Sequence, residues 1–269
     1  MTARVSLPMY DLPGMRAANE AFWSALVKEV RREGFADIPA SLSPDEGPAP
    51  GRPMAGILFT QTCGYPLQTI HRDQFRLLGT PSYDAPGCGA MTHRSFIIVR
   101  EDDSAQAPED LRDRRFALNA RHSNSGMNLP RHMFARLARN GLFFDEVVET
   151  GSHTASLAAV QLGNADAAGI DCVTWAFVGD HQPELAAGLR ILAQTVVSPA
   201  LPFVTGVDTS PALTDALRGA LLTVGSNPTY RDVCKGLRIK GIGTTPMADY
   251  AASLRLEDDA IRAGYPKLA

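Results

Sequence analysis

The chain of 269 residues is long enough for one large domain or for two modest lobes. At 45% hydrophobic and 20% charged residues it can fill a core, which excludes long disorder. A net charge of -3, with no Lys/Arg cluster interleaved with aromatics, excludes broad electrostatic binding to nucleic acid or anionic lipid. No apolar stretch approaches the length of a membrane span. Met1 to Pro8 lacks the apolar core of a secretory signal, so a full-length chain would belong in the cytoplasm and a processed one outside it. The cysteines Cys63, Cys88, Cys172 and Cys234 form no CxxC pair and no zinc spacing. Free thiols and a disulfide such as Cys63–Cys88 both fit. Neither a metal site nor a cofactor is expected.

In chain order, Ala3 to Leu7 reads as a first strand and Tyr10 to Gly14 as the turn after it. Met15 to Arg32 is an amphipathic helix on Ala18, Phe22, Ala25, Leu26 and Val30, with Glu29 interrupting the apolar stripe. Phe35 to Leu42 alternates loosely and predicts a second strand, pushed to an edge by Pro39. Ser43 to Pro53 is a Pro/Gly-rich connector. Gly56 to Thr60 is a buried-strand run, followed by Gln61-Thr62-Cys63-Gly64-Tyr65-Pro66 and a helical turn over Leu67 to His71. Phe75 to Thr80 is a strand, and Pro81 to Gly89 a loop. Ser95 to Arg100 is the clearest strand in the chain. Pro108 to Leu111 opens a short helix before a strand at Arg115 to Asn119.

The second half continues the alternation. Met127 to Asn140 predicts a helix on Met127, Met133, Phe134, Leu137 and Ala138. Strand-like Phe144 to Thr150 precedes a helix over Thr154 to Leu162, then a small apolar strand at Ala165 to Ile170. Val173 to Val178 is helical, and Leu189 to Val197 a strand. Ser198 to Pro202 is an extended link, and Phe203 to Val207 a further strand. Pro211 to Val224, Thr229 to Cys234 and Met247 to Leu254 are helical. Asp102-Asp103 and Glu257-Asp258-Asp259 read as solvated charge runs.

Alternating strands and helices imply an α/β architecture with mostly parallel sheets, in which ligands bind beyond the carboxyl ends of strands. Tyr10, Gln61 to Tyr65, Ser123 to Gly126 and Asp171 all follow a strand. Among them, Ser123-Asn124-Ser125-Gly126 opens a helix. The first N–H groups of a helix lack intrahelical partners and sit at the positive end of the dipole, which suits a phosphate-like or carboxylate anion. A serine that merely caps the helix is the competing reading.

These stretches, in this order, resemble the phosphate/phosphite/phosphonate-binding proteins of ABC importers. The resemblance runs over nearly the whole chain. It is carried by Gln61-Thr62-Cys63-Gly64-Tyr65-Pro66-Leu67, by Ser123-Asn124-Ser125-Gly126, by the block from His153 to Trp175 and by Leu201-Pro202-Phe203-Val204. It implies a bilobal type II periplasmic binding protein-like fold. Residues 1–93 and 200–269 would form one lobe and 94–199 the inserted other, with a hinge of two crossing segments near Arg94–Arg100 and Val196–Pro202. It further implies a non-enzymatic, extracytoplasmic solute-binding protein that holds a small oxyanion in a cavity between the lobes and hands it to ABC transporter membrane subunits. Phosphonate-specific members carry Ser/Thr where this chain has Asn124.

The implied ligand residues are Tyr10, Gln61, Thr62, Cys63, Gly64 and Tyr65 from one lobe, and Ser123, Asn124, Ser125, Gly126, His153 and Asp171 from the other. Each has a plainer reading. His153 either donates to the anion or faces solvent at a helix start. Asp171 either accepts from a protonated ligand oxygen or an amine, or caps the helix after it. Tyr10 and Tyr65 either close the pocket or pack, and Trp175 reads as core. Cys63 has no histidine at nucleophile spacing. Two rival functions remain: an enzyme of thiamin-pyrimidine synthesis on the same fold, against which the scattered histidines count, and a cytoplasmic effector-sensing module.

Overall fold

The computed structural model describes residues 3–44 and 47–269; Asp45 and Glu46 of the expected connector lie outside them, as do Met1 and Thr2. The strands are β1 (Arg4–Val5), β2 (Ile57–Gln61), β3 (Phe75–Tyr83), β4 (Thr92–His93), β5 (Ser95–Arg100) and β6 (Arg115–Leu118). They continue with β7 (Glu146–Glu149), β8 (Ala167–Asp171), β9 (Leu189–Gln194), β10 (Ser198–Pro199), β11 (Phe203–Gly206) and β12 (Ile239–Gly243). The helices are α1 (Arg16–Arg32), α2 (Gly64–Gln68), α3 (Leu129–Ala135), α4 (His153–Gln161) and α5 (Cys172–His181). After them come α6 (Pro211–Ser226), α7 (Arg231–Gly236), α8 (Met247–Tyr250) and α9 (Ala252–Arg262). None of the described helices is long and apolar enough to cross a membrane.

The chain divides into two compact units. The first holds residues 1–84, 89–91 and 200–249; the second holds 85–88, 92–199 and 250–269. The sequence reading placed 200–269 together, whereas 250–269 lie with the second unit.

The first unit is built on a five-stranded sheet in the order β1-β2-β11-β3-β12. β1 runs parallel to β2, but β11 is antiparallel to both β2 and β3, and β12 is antiparallel to β3. Helix α1 buries Phe22, Trp23, Leu26 and Val30. Phe22 stacks on Phe203 at 5.4 Å, Phe203 on Phe59 at 5.4 Å, and Trp23 tilts onto Phe59 at 5.2 Å. Burying each such side chain is worth roughly 1.5–3 kcal/mol, so this stack fixes α1 to the sheet. Glu29, the break in the stripe, accepts a hydrogen bond from the Tyr230 hydroxyl. Phe35 to Leu42 forms no strand. It runs over α1 instead, where the Pro39 carbonyl accepts from Trp23 Nε1 at 3.0 Å and Leu42 N donates to Glu20 Oε2 at 3.1 Å.

The second unit carries a sheet in the order β7-β6-β8-β5-β9 and a short antiparallel pair of β4 with β10. β6 is parallel to β7 and β8; β5 is antiparallel to β8 and β9. The sheets are therefore mixed rather than mostly parallel, because β5, β11 and β12 enter their sheets in the reverse direction. Alternation read along the chain does not encode that direction. Phe96, Ile97, Ile98, Phe116, Leu118 and Ile170 are fully buried. Phe116, Phe134, Phe143 and Phe144 form one aromatic cluster with centroid separations of 4.6 to 5.9 Å.

Helix α3 stops at Ala135, short of the expected Asn140. Asn140 and Gly141 both take positive φ (54° and 77°), and Arg139 and Leu142 exchange backbone hydrogen bonds across them. This Asn-Gly hairpin turn outcompetes the helical period. The C-terminal acidic run is not free in solvent throughout. Glu257 on α9 pairs with Arg131 at 3.1 Å, and Asp103 pairs with Arg114 at 2.8 Å.

Candidate functional site

The helix-opening turn of the second unit begins at Ser123, whose backbone is extended (φ -72°, ψ 139°) before Asn124–Asn128 wind as a single π-turn into α3. Ser123 Oγ accepts from Gly126 N at 3.0 Å, so the capping reading holds for Ser123. The N–H groups of Asn124 and Ser125 precede that bond and have no intrahelical acceptor. A Cβ on Gly126 would sit 1.9 Å from Asn119 Oδ1, so only glycine lets the turn pack this closely on the end of β6.

The side chains of the turn divide between scaffold and site. Asn124 is fully buried; its Nδ2 donates to Ser198 Oγ at 3.0 Å and its Oδ1 accepts from Asn128 Nδ2 at 3.1 Å. Asn128 Nδ2 also donates to the Ser253 carbonyl at 2.9 Å, and Arg131 Nη2 donates to Asn128 Oδ1 at 2.7 Å. The Asn124 amide is therefore engaged within the unit, and a buried polar chain running to Glu257 holds the turn. Ser125 differs. Its carbonyl accepts from Ser95 Oγ at 2.7 Å, and its Oγ lies 2.9 Å from His153 Nε2.

His153 is the first residue of α4, which Ser152 caps through Ala155 N at 3.0 Å. Its Nδ1 is buried and makes no hydrogen bond of normal geometry, although the Gly169 carbonyl is near enough to favour the protonated ring. Burial outweighs that carbonyl and the Asp171 carboxylate, and it holds the imidazole below its ordinary value, so the ring is neutral at pH 7.

Asp171 ends β8 and caps α5. Its Oδ1 accepts from Val173 N at 2.9 Å and Thr174 N at 3.0 Å, and its Oδ2 pairs with His93 Nδ1 at 2.6 Å. Both carboxylate oxygens are engaged within the unit, and the residue is 2% exposed. Burial alone would raise the Asp171 carboxyl, but the His93 charge and hydrogen bond overcome it and hold the group low. His93 feels the converse: burial opposes its charge, and Asp171 outweighs burial, raising the imidazole. Trp175, expected in the core, is only half-buried.

The first unit brings a different set together. Gln61 Nε2 donates to Tyr83 Oη and to the Leu201 carbonyl, both at 2.9 Å. Tyr10 packs edge-on against Tyr83 at 5.5 Å. Thr62 is buried, and its N–H donates to the Pro202 carbonyl at 3.3 Å. Cys63 precedes α2 as its extended N-cap, and Gly64 and Tyr65 open that helix and are buried.

The sequence reading missed His93, Ser95, Asn128 and Tyr83. The register of β5 on β8 sets Ser95 opposite Asp171, a pairing that only the folded chain shows. Tyr83 was assigned to a loop, whereas β3 extends through it. No group of three or more His, Cys, Asp or Glu able to hold a metal occurs among the described residues.

A model of a family described as "ABC transporter, phosphonate, periplasmic substrate-binding protein" matches residues 57–250. No curated protein matches the chain. Among solved structures, a binding-protein component of the ABC phosphonate transporter from Pseudomonas aeruginosa is similar at TM-score 0.75 and 17% identity, covering 97% of this chain and 87% of that one. PhnD1 from Prochlorococcus marinus, in complex with methylphosphonate, is similar at TM-score 0.72 and 13% identity, covering 97% and 98%. A protein of Xanthomonas citri bound to chloride ion is similar at TM-score 0.69 and 18% identity, covering 97% of each chain. At these identities the likeness shows the fold.

Proposed function

The chain belongs to the periplasmic substrate-binding proteins of phosphonate ABC transporters, and from that premise we propose that it captures a small phosphorus oxyanion at the Ser123–Gly126 turn. Methylphosphonate, phosphate and phosphite are the candidate ligands, and the membrane subunits of an ABC importer are the partners that would receive them. The observation that carries this reading is the Ser125 hydroxyl, 2.9 Å from His153 Nε2 at a turn with forward-facing N–H groups.

In the resting site Nε2 of the neutral His153 accepts a hydrogen bond from the Ser125 hydroxyl, or donates one to its oxygen through the other tautomer. An arriving anion favours a protonated His153, which frees the Ser125 hydroxyl to donate to the ligand. Asn124 contributes a backbone N–H in place of the Ser/Thr hydroxyl of the phosphonate-specific pattern. Asp171, with both oxygens engaged, acts by holding His93 and the start of α5 rather than by touching the ligand.

A thermal-shift screen against methylphosphonate, phosphate, phosphite, sulfate, chloride and ATP tests the proposal. At ligand concentrations of 100 Kd, stabilisation of about 2.7 kcal/mol is expected for at least one phosphorus oxyanion. Stabilisation by none of the three would overturn it. Stabilisation by ATP alone would assign the chain a nucleotide instead.

A further inference from the structure

We propose that Cys88 and Cys172 close into an intrachain disulfide when the protein meets a disulfide oxidant, clamping the Ala85–Cys88 turn onto the first residue of α5. The two Sγ atoms lie 3.5 Å apart, in contact but unbonded. Both backbones are already anchored. Cys88 N donates to the Ala85 carbonyl at 3.1 Å, and Cys172 N donates to the Arg94 carbonyl at 3.1 Å. Gly87 presses the turn home: at φ +89°, a Cβ there would lie 2.9 Å from the Phe96 ring and 3.1 Å from Cys172 Cβ. Bond formation needs the sulfurs to approach by about 1.5 Å, a shift that side-chain rotation supplies.

The chemistry balances with one equivalent of a small disulfide such as oxidised glutathione. Cys88, the half-exposed thiol, loses its proton to solvent and attacks the oxidant, releasing one glutathione thiolate and leaving a mixed disulfide. Cys172 then loses its proton, and its sulfur attacks the Cys88 sulfur and expels the second glutathione. The two protein thiols are oxidised by two electrons, and the oxidant is reduced to two thiols. Cys172 follows rather than leads: the Cys88 contact, burial and the adjacent Asp171 carboxylate all keep its thiol protonated, and only the His93 charge and the Arg94 backbone oppose them. The periplasm, where the family works, supplies such oxidising conditions.

The test is peptide mapping of the whole protein after incubation with oxidised glutathione, followed by alkylation in denaturant. The expected result is a Cys88–Cys172 cross-linked peptide, with Cys63 and Cys234 alkylated. The bond closes a loop of roughly eighty residues, so the oxidised protein should melt about 5–15 °C above the dithiothreitol-treated one. That difference should vanish in Cys88→Ser and persist in Cys63→Ser. Alkylation of all four cysteines, a link from Cys88 to any other cysteine, or an oxidation-dependent rise that survives in Cys88→Ser would each overturn the proposal. The mapping needs no ligand, so its outcome is independent of which anion the protein binds.

Discussion

Replacing Asp171 with alanine removes three hydrogen bonds at once: two that cap α5 and one that pairs with His93. The cap is worth about 1 kcal/mol. Stranding a fully buried partner of an ion pair costs about 3–5 kcal/mol, part of which His93 escapes by giving up its proton. The contributions overlap, so Asp171→Ala should lose about 4 kcal/mol at pH 7, a fall in Tm of roughly 8–16 °C for a chain of this size. Asp171→Asn keeps the oxygen that caps α5 and loses only the charge opposite His93. It should cost about 1.5–3 kcal/mol, the scale of one hydrogen bond to a charged group. Urea unfolding of both variants, followed by circular dichroism, measures the difference. Asp171→Ala within about 1 kcal/mol of wild type, or Asn as damaging as Ala, would refute the two-oxygen account of this carboxylate.

Gly126→Ala places a methyl against Asn119 Oδ1. It should cost about 1–3 kcal/mol by overpacking and abolish oxyanion binding, read by urea midpoint and thermal shift. Arg131→Ala strands Asn128 Oδ1 and removes one partner of Glu257, and should cost about 2–3 kcal/mol in the same unfolding assay. The pH dependence of stability has two histidine components of opposite sign. His93 has a raised value in the folded protein, so its contribution is complete below the ordinary 6.5 and is lost as pH rises through the raised value. His153 has a lowered value, so below 6.5 the unfolded chain takes up a proton that the folded chain refuses, and stability falls. Urea midpoints from pH 5 to 9 should show the alkaline loss disappear in Asp171→Asn and the acid loss diminish in His153→Gln.

The alternation of strands and helices was legible because the chain marks it locally. Ser95–Arg100 is apolar and β-branched, and the α1 stripe repeats at the helical period. Direction within the sheets was not legible, since pairing of β11 between β2 and β3 joins segments far apart in sequence. Helix α9 was foreshortened because its fully buried positions are Ser253 and Ala260, small residues that make no apolar stripe, and its acids read as solvated. Strand β12 was missed because two of its five residues are glycine. At the site, the capping chemistry of Ser123 and Asp171 followed from residue type and position. The partners His93, Ser95 and Asn128 did not, because each meets its target through tertiary packing. Asn124 was read as a ligand group from its neighbours, and only the folded chain shows its amide turned inward to Ser198 and Asn128.

We propose that the Ser125 hydroxyl, set by His153, binds the phosphorus oxyanion. Titration calorimetry of wild type and Ser125→Ala with the oxyanion that most stabilises the protein tests it most directly. Loss of one hydrogen bond to a charged ligand should weaken binding roughly 10- to 150-fold, with Tm in the absence of ligand little changed. Equal affinity in the two proteins would contradict the assignment.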